Sequence, residues 1–286
     1  MQAIYHFDNT VQSIVKTSSG KLFLLTRKDS SASSLYLSTD SGKHWQRTYT
    51  FDDALYNIYN VNDSSLWACG ISANLYYSTD NGNTWQKKLN NEDNGWLMQQ
   101  NPIFRKAIFT PNKNGIIVGG SFYKNGFINF SPSGNGGDWH FHTLNAELHA
   151  VSRLNDTSFL IVGYGTSIIF HTGSETTERT DFKGDNLTDI TPQAPFIACG
   201  YETGIYQYYP DRKKWERLYK NAFNQHWQAI RKDIVIGNNG LLFDLSSKQP
   251  IQTSIEANFS SIINLSDNLY LLGDNEGNLY QYKNQN

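Results

Sequence analysis

Two histidines, His140 and His142, stand on one face of an expected strand, the spacing with which a metal site can begin. No third ligand follows at a recognisable interval, so the sequence offers no metal site. Asp40-Ser41-Gly42 resembles the start of a calcium loop, but the further carboxylates and terminal glutamate that oxygen ligation requires are missing. Glycoside cleavage needs two carboxylates across one cleft. No pair is marked by spacing, although a pair assembled from distant segments would leave no local signature. Nothing reads as a nucleophile elbow or phosphate loop, since Gly163-Tyr164-Gly165 belongs to a recurring pattern. The chain therefore reads as non-catalytic and without a cofactor.

The recurring pattern sets the architecture. Ser38-Thr39-Asp40-Ser41-Gly42-Lys43-His44-Trp45 returns forty residues later as Ser78-Thr79-Asp80-Asn81-Gly82-Asn83-Thr84-Trp85. A short apolar-aromatic run precedes each and recurs at starts 35, 75, 128, 168, 205, 241 and 279, at intervals of 40, 53, 40, 37, 36 and 38 residues. Before most of these lies an apolar run ending in glycine, such as Trp67-Ala68-Cys69-Gly70 or Ile161-Val162-Gly163. Runs this short, bounded by Gly, Asn, Asp and Ser, predict strands. Four per unit over seven units predict an all-β, seven-bladed β-propeller of four-stranded antiparallel blades. The last unit ends after three strands, so the N-terminal strand at Ala3 to Phe7 is expected to complete the last blade.

The octapeptides resemble the Asp-box, or BNR, repeat, Ser-x-Asp-x-Gly-x-Thr-Trp. Physically, such a turn needs an Asp to accept backbone N–H groups, a Gly for positive φ, and a Trp as apolar anchor. Ser38, Asp40, Gly42, Trp45, Ser78, Asp80, Gly82 and Trp85 are assigned these structural roles. Blade three keeps Ser131 and Trp139 with one extra residue between them, and blade five keeps Trp215. Sialidases carry such boxes, and that resemblance would imply an arginine triad and an N-terminal Phe-Arg-Ile-Pro motif. Ile103-Phe104-Arg105-Lys106 comes nearest and lacks the proline, while the other arginines are expected mostly on loops or outer strands. A second likeness is to the photosystem II assembly and stability factors, which look like compact seven-bladed Asp-box rings and imply capture of a protein partner.

At 286 residues the chain is expected to be one domain, 1–286. Charge is balanced at −2 with 17% charged residues, which argues against nucleic-acid and membrane-surface binding. The start Met1-Gln2-Ala3-Ile4 lacks a secretory pattern, so a cytoplasmic location is expected. Cys69 and Cys199 occupy equivalent positions in distant blades, too far apart for a disulfide, and read as buried free thiols suited to a reducing compartment.

In an antiparallel meander the octapeptide turns share one end of each blade with the first-to-second-strand turns. The opposite end, with the second-to-third-strand turns and the crossovers between blades, is the expected binding face. The 53-residue interval places its surplus there, in a crossover containing Trp96 and Met98. Arg105, Lys106, Phe122, Tyr123, Lys124, Tyr164, Tyr201, Glu202, Phe223, His226, Trp227, Asp274 and Glu276 are expected at the same end. The sequence thus reads as a monomeric scaffold for a protein partner, of assembly-factor or bacterial immunity type. The alternative is a glycan-binding or glycoside-cleaving propeller, which predicts carboxylates or arginines converging on a central channel, where the binding reading predicts an aromatic rim and a channel lined mainly by small and neutral polar residues.

Overall fold

A computed structural model describes residues 1–89, 102–110, 114–134, 137–222 and 224–284. They form seven four-stranded antiparallel sheets, the blades of an all-β propeller fold. The blades span 10–51, 55–89, 103–144, 148–179, 187–220, 227–252 and 259–283. Blade seven takes its fourth strand from the N-terminus: Gln2–His6 lies against Asn278–Lys283, with Gln2 opposite Gln281 and His6 opposite Asn278. Among the described residues no helix is long and apolar enough to cross a membrane.

Two compact units are distinguished by their internal packing, one of Met1–Phe104, Asn239–Leu242 and Ile251–Asn286, the other of Arg105–Asn238 and Phe243–Pro250. The core of each lies between neighbouring blades, because a sheet buries its two faces only against other sheets. In the first unit Phe23, Leu25, Leu35 and Phe51 of blade one meet Leu55, Ile58, Leu66 and Ala68 of blade two. In the second, Ile116, Val118, Ile128 and Phe130 of blade three meet Val151, Phe159, Ile161 and Phe170 of blade four.

Both octapeptides fold alike, and both lie in the first unit. Ser38 Oγ donates to Asp40 Oδ1 at 2.9 Å and accepts the Gly42 N–H at 2.9 Å; Ser78 donates to Asp80 at 2.8 Å and accepts from Gly82 at 3.0 Å. Asp40 Oδ1 accepts the N–H groups of Lys43 and His44, and Asp80 Oδ1 those of Asn83 and Thr84. Gly42 and Gly82 have φ of +88° and +76°. The indoles of Trp45 and Trp85 donate to the carbonyls of these glycines. Trp85 then packs at 5.0 Å from Phe51 of the preceding blade, so the turn sets the spacing between blades as well as closing a hairpin.

The backbone N–H and the hydroxyl of Thr84 hold the Asp80 carboxyl down to about 2, below its ordinary 3.8. A depressed carboxyl contributes stability above its unfolded value and loses it as pH falls from about 4 towards 2. Asp80→Asn is therefore expected to flatten the acid limb of the stability curve in that window, followed by tryptophan fluorescence. An acid limb unchanged by the substitution would contradict the role.

Blade three builds its turn differently. Gly134 N–H still donates to Ser131 Oγ at 2.8 Å, but the carboxylate is Asp138, which accepts from the Ser131 hydroxyl and the Ser133 N–H. In blade five the indole of Trp215 turns to Ser167 of blade four and to Thr180 just after it.

At the other end of the blades, the glycine ending the second strand answers a steric demand. A Cβ on Gly70 would lie 2.2 Å from the Ala54 carbonyl, on Gly163 2.1 Å from that of Glu147, and on Gly237 2.5 Å from that of His226. The crossover chain passes directly over each glycine. The residue that follows then donates its N–H to the crossover, as Tyr164 does to Glu147 at 2.8 Å and Tyr201 to Asn186 at 2.8 Å. Whatever follows the glycine is thereby placed at the blade's end, which is how the fold positions the candidate site.

Cys69 and Cys199 are both free and buried. Burial pushes the Cys199 thiol up to about 12, with the Asp189 charge adding to it. Since thiolates are the reactive form, neither cysteine is expected to react with DTNB in the folded protein, and both should react in urea. Rapid labelling of the native protein would contradict this packing.

Candidate functional site

The second unit brings together, at the second-to-third-turn end of blades three to five, most of the aromatic residues expected there. Phe122 is 78% exposed, Tyr123 62% and Tyr164 46%. The Tyr123 and Tyr164 rings lie 5.1 Å apart, tilted by 46°. Tyr201 stacks on His226 at 4.4 Å, and the His226 ring meets the Tyr201 carbonyl at 2.9 Å through Nδ1. Lys124 and Glu202 are exposed beside them.

The loop carrying Phe122 and Tyr123 joins Gly115–Ser121 to Asn125–Ser131. Both aromatics have positive φ, 54° and 64°. Turns of this kind ordinarily use Asn or Gly there, because the left-handed region costs a bulky side chain about 1–2 kcal/mol per residue. Glu147 holds the strained loop in place. Its Oε2 accepts the Tyr123 N–H at 3.1 Å, and its own N–H donates to the Tyr123 carbonyl at 3.2 Å. Arg105 grips the other oxygen of Glu147 through Nε at 2.7 Å and a terminal nitrogen at 2.5 Å.

A second ionic group lies on the first strands of blades three, five and six. Asp189 Oδ1 accepts from Lys106 Nζ at 3.1 Å, while Oδ2 accepts the Ile230 N–H at 3.1 Å and faces Arg231 at 3.5 Å. Burial depresses Lys106 as an ammonium, opposed by the Asp189 charge. Burial also lowers His149, aided by Arg105; its Nε2 stands 3.8 Å from Glu147.

These charged groups on first strands depart from the expected lining of mainly small and neutral polar residues. Arg231 ends the first strand of blade six, Trp227–Arg231, and is not on a loop or outer strand. Nor are the charges an open catalytic pair: both oxygens of Glu147 and of Asp189 are occupied by the protein's own donors. Trp227 is also corrected. It is 0% exposed, donates to Asn221 Oδ1 at 2.5 Å and packs on Phe243, because the strand begins there and turns the indole into the core. In the first unit Asp274 is buried and serves its own turn, accepting from the N–H groups of Glu276 and Asn278. Trp96, Met98 and Phe223 lie outside the described residues.

Sequence reasoning missed Glu147, His149 and Asp189. It also missed Glu175, whose two oxygens meet His140 Nδ1 at 2.7 Å and His142 Nε2 at 3.1 Å. Among the described residues no group of three His, Cys, Asp or Glu is arranged to hold a metal ion.

No protein-family model matches the chain, and no curated protein matches it. Solved structures do. YCF48 bound to D1 peptide is similar at TM-score 0.74 and 14% identity, over 99% of this chain and 96% of that one. The WD40 β-propeller domain of Doa1 gives 0.74 and 14%, over 100% and 96%. Virginiamycin B lyase from Staphylococcus aureus gives 0.75 and 11%, over 99% and 98%. The fold is a seven-bladed β-propeller. At such identities the likeness reaches no further, and it joins one peptide-bound protein and one lyase on the same architecture.

Proposed function

We propose that this protein is a non-catalytic scaffold of Asp-box type that captures a protein partner at the second-to-third-turn end of blades three to five. The observation that carries the reading is the Phe122-Tyr123 loop: two aromatic residues, both strained and both mostly exposed. Strain and exposure each cost stability, and neither is repaid by packing at Phe122. Outliers of this kind persist where a site requires them. Large exposed aromatics are also the residues that dominate binding energy at protein interfaces.

The peptide-bound state of YCF48, on the same fold, supports the protein-partner reading without transferring its peptide. An assembly-factor or immunity-type role follows from capture without chemistry, and the buried free thiols suit a reducing cytoplasm. The test is capture of partners from a lysate of the source cells by immobilised wild type and by Tyr123→Ala/Tyr164→Ala, with folding checked by circular dichroism. Specific capture by the wild type alone is expected; equal recovery by both would overturn the site.

A further inference from the structure

The chemistry left open at this site narrows the partner. The buried carboxylates close to the aromatic residues and one neighbouring amide are already engaged, while Ser121 Oγ and Asn186 Oδ1 are buried without a hydrogen-bond partner among the described residues. Glu147 is bound by Arg105 and the Tyr123 N–H, Asp185 by the N–H groups of Asn186, Glu202 and Thr203, and the Asn238 amide by the His226 N–H and the Asn224 carbonyl. What remains for a ligand is aromatic faces, phenol hydroxyls and the exposed charges of Lys124 and Glu202. No described residue engages the hydroxyls of Tyr123, Tyr164 or Tyr201.

Resting on the reading above, we infer that the partner segment is proline-bearing and docks in the extended polyproline II conformation across Tyr123, Tyr164 and Tyr201. Such a segment has no internal hydrogen bonds, so its carbonyls accept from hydroxyl donors. Its flat, apolar pyrrolidine rings fit aromatic-lined slots, the recognised mode for polyproline II ligands. The tilted Tyr123–Tyr164 pair offers an aromatic surface on which such rings can pack. The loops present hairpin ends rather than an open strand edge, which disfavours strand addition. A neutral sugar would also stack on these rings, but it carries no charges to answer the exposed Lys124 and Glu202.

Charge complementarity sets the direction. Exposed Lys124 follows the aromatic pair on blade three, and exposed Glu202 follows Tyr201 on blade five. The segment therefore carries an acidic residue at the end over blade three and a basic one at the end over blade five.

The test is calorimetric titration of the full chain with a blocked oligoproline peptide bearing Glu at one end and Lys at the other. Controls are the same peptide with alternate prolines replaced by alanine, and cellohexaose. Saturable binding of the oligoproline alone is expected. Tyr123→Phe/Tyr164→Phe, which keeps the rings and the fold, should weaken it about tenfold through two lost hydrogen bonds. Exchanging the Glu and Lys ends should weaken it further. Three results would overturn the inference: no saturable oligoproline binding, binding insensitive to the phenylalanine pair, or cellohexaose binding in its place. If oligoproline fails while lysate capture still depends on Tyr123, the proline assignment falls and the protein-partner reading stands. If that dependence is absent too, both fall.

Discussion

Asp189→Ala is expected to destabilise the protein by about 3–5 kcal/mol, the cost of removing one partner from a buried ionic group. Asp189 is 4% exposed and carries three interactions: Lys106, Arg231 and the Ile230 N–H. Taking the carboxylate away leaves an ammonium and a guanidinium facing one another with their neutraliser gone, and a buried backbone donor without its acceptor. Asp189→Asn should cost less, since the amide oxygen still accepts from Ile230. Lys106→Met in the Asp189→Ala background should recover part of the loss, because the stranded ammonium is then absent. Urea denaturation of the four proteins measures all of this. A loss below about 1 kcal/mol for Asp189→Ala would show that the group is solvated rather than buried.

The second large effect joins stability to function in opposite directions. Replacing Phe122 with Asn and Tyr123 with Gly gives the loop residues suited to left-handed backbone. Relief of strain at two positions should raise stability by about 1 kcal/mol, part of the gross gain being offset by the lost Tyr123–Tyr164 contact. The clamp from Glu147 acts through the backbone N–H and carbonyl of residue 123, so it survives the change. Partner capture should nevertheless be abolished, because the rings are gone. A variant that is both more stable and inactive identifies the aromatic pair as retained for binding. A variant that is less stable would mean that the pair is structural.

The seven-fold period, the strands and the octapeptide turns were legible because repeats write the same local chemistry several times. The terminal strand was legible for a related reason: the last unit lacks one strand, and Ala3 to Phe7 is left over. Placing Phe122, Tyr123, Tyr164 and Tyr201 at one end needed only the hairpin phase. Their strain was not legible, since nothing in the residue types Phe and Tyr signals a positive φ. The ion pairs were invisible for another reason. Arg105 and Glu147 are 42 positions apart and Lys106 and Asp189 are 83; the first pair joins blade three to the crossover after it, the second blade three to blade five. No local spacing encodes such a meeting. Trp227 was misread because its place just after a crossover says nothing of the side chain's direction, which the register of Trp227–Arg231 against Ile234–Gly237 decides.

The most direct test of the central claim is a hydrogen-exchange footprint of the captured partner on the protein. Slowed exchange is expected at 121–125, 164–166 and 201–204, with the octapeptide turns at 38–45 and 78–85 unchanged. Protection at the octapeptide turns, with the aromatic loops exchanging as in the free protein, would contradict the account.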